Sequence, residues 1–300
     1  MKLIAALIPA VLALSSCAAF SDDTTTAGSG EVQVATAFYP LQYVAGRVAG
    51  EHASIVNLTQ PGQEPHDLEL TIKETADVAE ADLVVYEQDF QPAVDSAVDQ
   101  NATGATLDAA EVVGLEPLDH DGHDHDHGDL DPHFWQDPTR MAVLGDAVAE
   151  QLSDIDPDHA DEYAANAADL RSDLEDLDAS YSSGLARCER DTVVVSHDAF
   201  GYLAEKYGLV LESIAGLSPE AEPTPADLGR LQDLIDSAGV TTVFSERLAS
   251  PKLAESLAND MGIDTAVLDP IEGLSDETAD DDYLSLMEQN LTALEKANGC

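Results

Sequence analysis

The chain has 300 residues and carries 60 acidic against 12 basic side chains, a formal net charge of −48. A surface of that sign repels phosphate backbones, which argues against a nucleic-acid partner and for a cationic one. The acids are spread along the whole sequence, so most of them belong to a solvated surface and none marks a site by charge alone.

The N-terminus, MKLIAALIPAVLALSSC, has one lysine, an apolar run too short to span a bilayer, and small residues before Cys17. It reads as a secretory signal over residues 1–16. Leu14-Ser15-Ser16-Cys17 resembles the bacterial lipobox, in which the peptide is cut before the cysteine and the cysteine is lipidated. The expected location is therefore extracytoplasmic, with Cys17 as a lipid anchor on the outer face of the cell membrane or in the periplasm. Residues 17–30, rich in Ser, Thr, Asp and Gly, read as a flexible tether. No later segment has the roughly 18 uninterrupted apolar residues of a membrane span.

From there apolar, β-branched runs alternate with helical patterns. Val32 to Phe38 precedes Leu41 to Ala49, Ser54 to Leu58 precedes Thr71 to Glu80, and Leu83 to Tyr86 precedes Pro92 to Val98. The rhythm resumes with strands at Thr192 to Val195, Leu209 to Ile214, Val240 to Phe244 and Thr265 to Leu268. Repeated βαβ units imply parallel sheets covered by helices, hence an α/β fold of two lobes, 31–156 and 187–300. Between them, residues 157–186 place Tyr163, Ala167, Leu170, Leu174, Leu177, Tyr181 and Leu185 three or four apart, one apolar stripe on a long linker helix. Asp156 is the expected N-cap and Pro157 the first helical residue, with a break near Ser180 to Ser183 as the alternative. Roughly 28 helical residues reach about 40 Å, enough for a stiff strut between lobes.

With Cys17 lipidated, Cys188 and Cys300 remain as an even pair in an oxidising compartment and are expected to be bridged.

In open α/β sheets ligands bind beyond the carboxyl ends of strands, and several ligand-type side chains fall there. His66 lies in PGQEPHD after the second strand, His197 ends VVVS, and Asp269 ends AVL before a proline. His133 sits in DPHFWQDP, a segment bounded by prolines and stiffened by aromatics. Three imidazoles and one carboxylate from separate loops make a tetrahedral site suited to zinc and unlike the all-oxygen sites of calcium or magnesium. Manganese stays possible but lies below zinc in affinity order. Glu246, at the end of TTVFS, reads as a carboxylate orienting a histidine, with direct ligation as the alternative, and Glu64 is a weaker version of the same. Ser196-His197-Asp198 is no hydrolase triad, because neighbours in an extended strand point in alternate directions. Catalytic zinc keeps an open position, whereas a fourth ligand is at hand here, so the chain reads as a binding protein with a zinc hydrolase as the remote alternative.

AFYPL at 37–41, PGQEPHDLEL, DPHFWQDP, SHDAFGYLAEKYGL and VFSERLASPKLAESLA together resemble the zinc and manganese substrate-binding lipoproteins of bacterial ABC importers, over nearly the whole chain after the signal. The resemblance implies two (β/α) lobes joined by one long helix, with the metal between them. It implies His66 and His133 as ligands from the first lobe, and His197 and Asp269 from the second. Manganese relatives usually place a glutamate where this chain has His197, so the resemblance favours Zn2+. It implies a membrane permease and an ATPase as partners and, as alternatives, a manganese importer subunit or a surface adhesin of the same fold; the chain itself is expected to be a monomer. Finally, residues 118–130 have no pattern of buried positions and read as a disordered loop whose His120, His123, His125 and His127 bind zinc weakly and hand it inward.

Overall fold

The computed structural model describes residues 31–117, 130–219 and 221–300. Cys17, the tether, and His120, His123, His125 and His127 lie outside the described residues.

The first lobe contains strands β1 (Val32–Thr36), β2 (Ala53–Asn57), β3 (Leu83–Tyr86) and β4 (Ala105–Asp108), interleaved with helices α1 (Tyr39–Ala49), α2 (Ile72–Glu80), α3 (Pro92–Asn101) and α4 (Ala109–Val113). Helix α5 (Pro138–Ile155) follows, then α6 (Ala160–Gly184). The second lobe has β5 (Thr192–Val195), α7 (Gly201–Tyr207), β6 (Val210–Ser213), α8 (Pro225–Ala238), β7 (Thr242–Ser245), α9 (Lys252–Met261), β8 (Asp264–Val267) and α10 (Tyr283–Asn298). Both sheets are wholly parallel and share one strand order, β2-β1-β3-β4 and β6-β5-β7-β8. Strands such as LVVY and TVVV are apolar on both faces because helices cover both. In each sheet the chain reverses its direction of travel beside the first strand. That is the place where the carboxyl ends leave a crevice.

Two features differ from the expectation. No element is expected between Val98 and Pro157, yet that stretch holds β4, α4 and the long helix α5, whose Met141, Ala142, Leu144, Gly145, Val148, Ala149 and Leu152 are buried. Gly145 lets α5 and α6 approach closely: a Cβ there would lie 3.1 Å from Leu170 Cδ2. Asp156, expected to cap the linker helix, makes no capping bond. The chain enters through a 3-10 turn at Pro157–His159, and the Asp156 carboxylate instead takes His159 Nδ1 at 2.6 Å and the Tyr163 hydroxyl at 3.0 Å. These bonds hold that carboxyl below its usual range, the His159 contact most of all.

Helix α6 is continuous through Ser183 and buries Tyr163, Ala167, Leu170, Leu174, Leu177 and Tyr181. Near its start Asn166 donates to the Val48 carbonyl of α1, and near its end the Tyr181 hydroxyl donates to the Met287 carbonyl of α10. One apolar cluster runs without interruption from Val34, Phe38 and Trp135 to Val195, Phe200, Leu268, Ile271 and Tyr283, so the lobes share a core. A second cluster, around Val194, Leu231, Val243 and Leu257, covers the other face of the second sheet. Among the described residues no helix is long and apolar enough to cross a membrane.

Cys188 and Cys300 form a disulfide that ties the approach to β5 to the end of α10 across 112 residues. A loop of that length constrains the unfolded chain by about 4 to 5 kcal/mol in the entropic account. A Cys188→Ser, Cys300→Ser protein is therefore expected to lose about 2 to 5 kcal/mol in denaturant unfolding, and reductant should shift the wild-type curve onto the variant's.

Candidate metal centre

His66, His133 and His197 converge on one point, and the fourth member of the group is Glu272. Their ligand atoms all lie within 4.8 Å of one another. The Glu272 Oε1 atom is 3.4 Å from His66 Nε2, 3.4 Å from His133 Nε2 and 3.3 Å from His197 Nε2. Those distances are long for charge-assisted hydrogen bonds, which sit near 2.7–2.9 Å. They match another geometry. A zinc ion bonded at about 2.0–2.1 Å in a tetrahedron separates its ligand atoms by about 3.3–3.4 Å. The Nε2 atoms of His133 and His197 are buried without a hydrogen-bond partner of good geometry, as expected of groups arranged to face a cation.

His66 and His197 come from loops at the carboxyl edges of the two sheets. His66 follows β2, held where its own N–H donates to Glu64 Oε1 at 3.1 Å. Asp67 N–H donates to the other Glu64 oxygen at 3.3 Å, so Glu64 shapes this loop, and its closest approach to His66 Nε2 is 4.0 Å. His133 precedes a 3-10 turn at Phe134–Gln136. Asp131 Oδ1 takes both its backbone N–H (2.9 Å) and its ring Nδ1 (2.8 Å), which fixes the tautomer and turns Nε2 inward. His197 follows β5, and Glu246, at the end of the adjacent β7, lies 2.7 Å from its Nδ1, in ion-pair contact off the line of a good hydrogen bond. Glu246 thus sits where it orients His197, on the side of the ring away from Glu272.

Asp269 is not in the group. Its Oδ1 accepts from Ile271 N–H at 2.9 Å, and its Oδ2 ion-pairs with Arg247 Nε at 2.9 Å. Burial pushes its carboxyl up to about 6 against the pull of the Ile271 N–H and Arg247. The backbone turns at Ile271, which has φ 61, and so presents Glu272 to the histidines in place of the first carboxylate after β8. Neither Glu272 nor Asp131 was singled out from sequence. Asp131 was within reach, two residues before a histidine in DPH; Glu272 follows a backbone reversal that no local pattern announces.

Burial alone would push the Glu272 carboxyl up, but the facing imidazoles of His133, His197 and His66 hold it well below the usual range. Burial likewise depresses the imidazoles, yet Glu246 and Glu272 bring His197 up to about 10, and Asp131 with Glu272 raises His133. His133 and His197 thus hold their protons more tightly than a free imidazole, beside a Glu272 carboxyl that gives up its own more readily. His66 is the most open of the four, its side chain 13% exposed against 2% for Glu272 and 0% for the other two. It borders a cavity of about 570 Å³ whose walls include Asp89, Phe90, Asp108, Leu130 and Leu217.

Two parallel α/β lobes closing on a buried cage of three imidazoles and one carboxylate define a bilobal cation-binding protein. The chain belongs to the family described as zinc-uptake complex component A, periplasmic (ZnuA), which matches residues 34–297. It is 33% identical to the zinc-binding lipoprotein AdcA of Streptococcus pneumoniae (strain ATCC BAA-255 / R6) over 300 residues, 95% of this chain. It spans 60% of the length of that relative. It is also 33% identical to the high-affinity zinc uptake system protein ZnuA of Bacillus subtilis (strain 168), covering 94% of this chain and 93% of that one. Among solved structures, the Zn(II)-bound ZnuA-like domain of pneumococcal AdcA superposes with a TM-score of 0.76 at 33% identity over 90% of this chain and 100% of that one. The laminin-binding protein Lmb of Streptococcus agalactiae, described as bifunctional with adhesin and metal transporting activity, does so with a TM-score of 0.79 at 28% identity, over 88% and 98%.

Asp131 depends on a glycine. A Cβ on Gly201 would stand 2.4 Å from Asp131 Oδ2, so Gly201→Ala forces the carboxylate away from His133. Zinc affinity by chelator competition is expected to fall about 10-fold or more in this variant, the usual cost of losing a partner that orients a ligand.

Proposed function

We propose that this chain captures zinc outside the cytoplasm, between its two lobes, and delivers it to an ABC-type importer. The observation that carries the reading is the set of three imidazole-to-Glu272 distances at the edge length of a zinc tetrahedron. His66, His133, His197 and Glu272 are the ligands in this reading, with Asp131 and Glu246 holding two of the rings. All four positions are filled by protein, which leaves no open site for a reacting water. The protein's task is then binding and release without a chemical step. Three imidazoles with one carboxylate rank zinc above manganese. The names of the relatives point the same way, since AdcA is a zinc-binding lipoprotein and ZnuA a zinc uptake protein. A permease and an ATPase are the partners, and Cys17 is the lipidated residue that keeps the chain at the membrane.

Zinc must displace protons to enter. His197, raised to about 10, is protonated in the metal-free site across the neutral range. A raised imidazole stabilises the metal-free fold below its ordinary value near 6.5, and that contribution is lost only as pH rises through about 10. Glu272, held low, contributes above its ordinary value and loses its contribution as pH falls through the lowered one. The metal-free cage is thus self-satisfied between those limits. Zinc affinity is expected to fall by about tenfold or more per pH unit as the solution is acidified from pH 8 to pH 6, with proton release visible in calorimetry across buffers of different ionisation enthalpy. A flat profile would overturn the protonated-cage account. His197→Ala should lose most of the zinc affinity and the preference over manganese; a variant that keeps both would overturn the functional reading.

Residues 118–129 leave and rejoin the described residues at Pro117 and Leu130, which form an isolated antiparallel bridge. Leu130 also lines the cavity that His66 borders. In this reading the histidines of residues 118–129 bind zinc weakly and hand it inward. Deleting Asp119 to Asp129 should remove weak zinc sites in a titration and leave the tightest one intact. Loss of the tightest site would place it in the segment instead.

A further inference from the structure

Six residues carry a metal-site histidine and, beside it, two side chains that reach across to the other lobe. In Asp131-Pro132-His133-Phe134-Trp135-Gln136, the indole Nε1–H of Trp135 and the amide Nε2–H of Gln136 both donate to the carbonyl oxygen of Pro270, at 2.7 and 2.6 Å. Both side chains are fully buried. Two side-chain donors on one carbonyl use both of its lone pairs. Pro270 stands two residues before Glu272, on the far side of Ile271.

The chain between them is held in a conformation it does not favour. Ile271 is β-branched and has φ 61, a region such residues rarely enter, and it is fully buried. A residue there persists only where its surroundings over-determine it. The surroundings do so from several directions. Asn290 donates to the Asp269 carbonyl at 2.6 Å and accepts its N–H at 2.8 Å, the Asp269 carboxylate takes the Ile271 N–H, and the two donors from the first lobe fix the Pro270 carbonyl. Of these contacts only the last pair comes from the other lobe.

The Gln136 side chain also argues for a specific task. Its Oε1 is buried with no hydrogen-bond partner, so half of its polar group is left unsatisfied. If packing were its only role, an apolar residue of that length would avoid the cost.

We propose that Gln136, assisted by Trp135, is a positioning residue that latches the Asp269–Gly273 turn of the second lobe to the His133 segment of the first and so sets the place of Glu272. The proposal rests on the reading of Glu272 as a zinc ligand. It makes the assembly of the site cooperative: the segment that delivers His133 also fixes the carboxylate opposite it. Separation of the lobes breaks the latch and withdraws Glu272 from His133 in one motion.

The test uses the full chain and the variants Gln136→Met, which keeps the length and drops the donor, and Trp135→Phe, which removes the other donor. In the metal-free protein, amide exchange of segment 269–273 should accelerate at least tenfold in Gln136→Met while β1 and β5 are unchanged. Equal protection would overturn the latch. With zinc, Gln136→Met should weaken binding by about 10- to 100-fold, and by less than about twofold in a Glu272→Ala background, since the effect passes through Glu272. The same loss in both backgrounds would overturn it. Cobalt(II) should give intense tetrahedral visible absorption in the wild type and a weaker, shifted band in Gln136→Met; unchanged spectra would count against the latch. If Gln136→Met does not fold, Trp135→Phe carries the same readouts. A wild type without tight zinc binding would sink the functional reading and leave the exchange measurement to decide the latch.

Discussion

Glu272 carries the site because a carboxylate that is 2% exposed cannot stay ionised without compensation. Three imidazoles supply it, in one of two ways. His133 and His197 hold protons beside the anion, or a cation takes the place of those protons. The first arrangement accounts for the raised imidazoles of His133 and His197 and the lowered carboxyl of Glu272. The second requires the spacing observed, too wide for strong hydrogen bonds and right for a tetrahedral ion. A site built this way exchanges one compensated state for another.

Holding that spacing is a problem of rigidity, because the four groups come from four loops of two sheets. The common strand order gives each lobe one crevice at its carboxyl edge, and the two crevices face the same point. The joint between the lobes is an apolar core, continuous from Phe38 and Trp135 to Ile271 and Tyr283. The Tyr283 hydroxyl donates to the Trp135 carbonyl, and Tyr202 donates to the Asp131 carbonyl, so the His133 segment is bonded into the second lobe at both ends. Helix α6 packs on α1 near its start and on α10 near its end. Motions between lobes joined this way are small displacements of packed surfaces, and a wide hinge would have to expose core residues such as Phe200 and Leu268.

Most of this was legible in the residues, for reasons that differ by element. Parallel strands buried on both faces announce themselves as short apolar runs, and the stripe of α6 repeats at helical spacing from Tyr163 to Tyr181, about five turns. The three histidines were found because each follows a strand or sits in a proline-bounded segment, where ligands of open sheets belong. The carboxylate that joins the three histidines stands three residues past the expected Asp269. Asp269 is the first carboxylate after β8, but its charge is engaged by Arg247 and by the N–H of Ile271. The turn that brings Glu272 forward relies on a left-handed isoleucine held by tertiary contacts, and sequence periodicity carries no record of it. Helix α5 begins at Pro138, directly after the aromatic segment that carries His133, with no loop between the two to mark its start.

The acidity and the cage divide the work of recognition. A net charge of −48 draws any cation to the surface, zinc no more than calcium, and its reach in physiological salt is about a Debye length, near 8 Å. Discrimination begins only where the ligand set becomes soft enough to matter, at three imidazoles that a hard cation gains little from entering. The proton enforces the same choice. Glu246 and Glu272 raise the His197 imidazole, so a cation that binds imidazole weakly competes poorly with its proton.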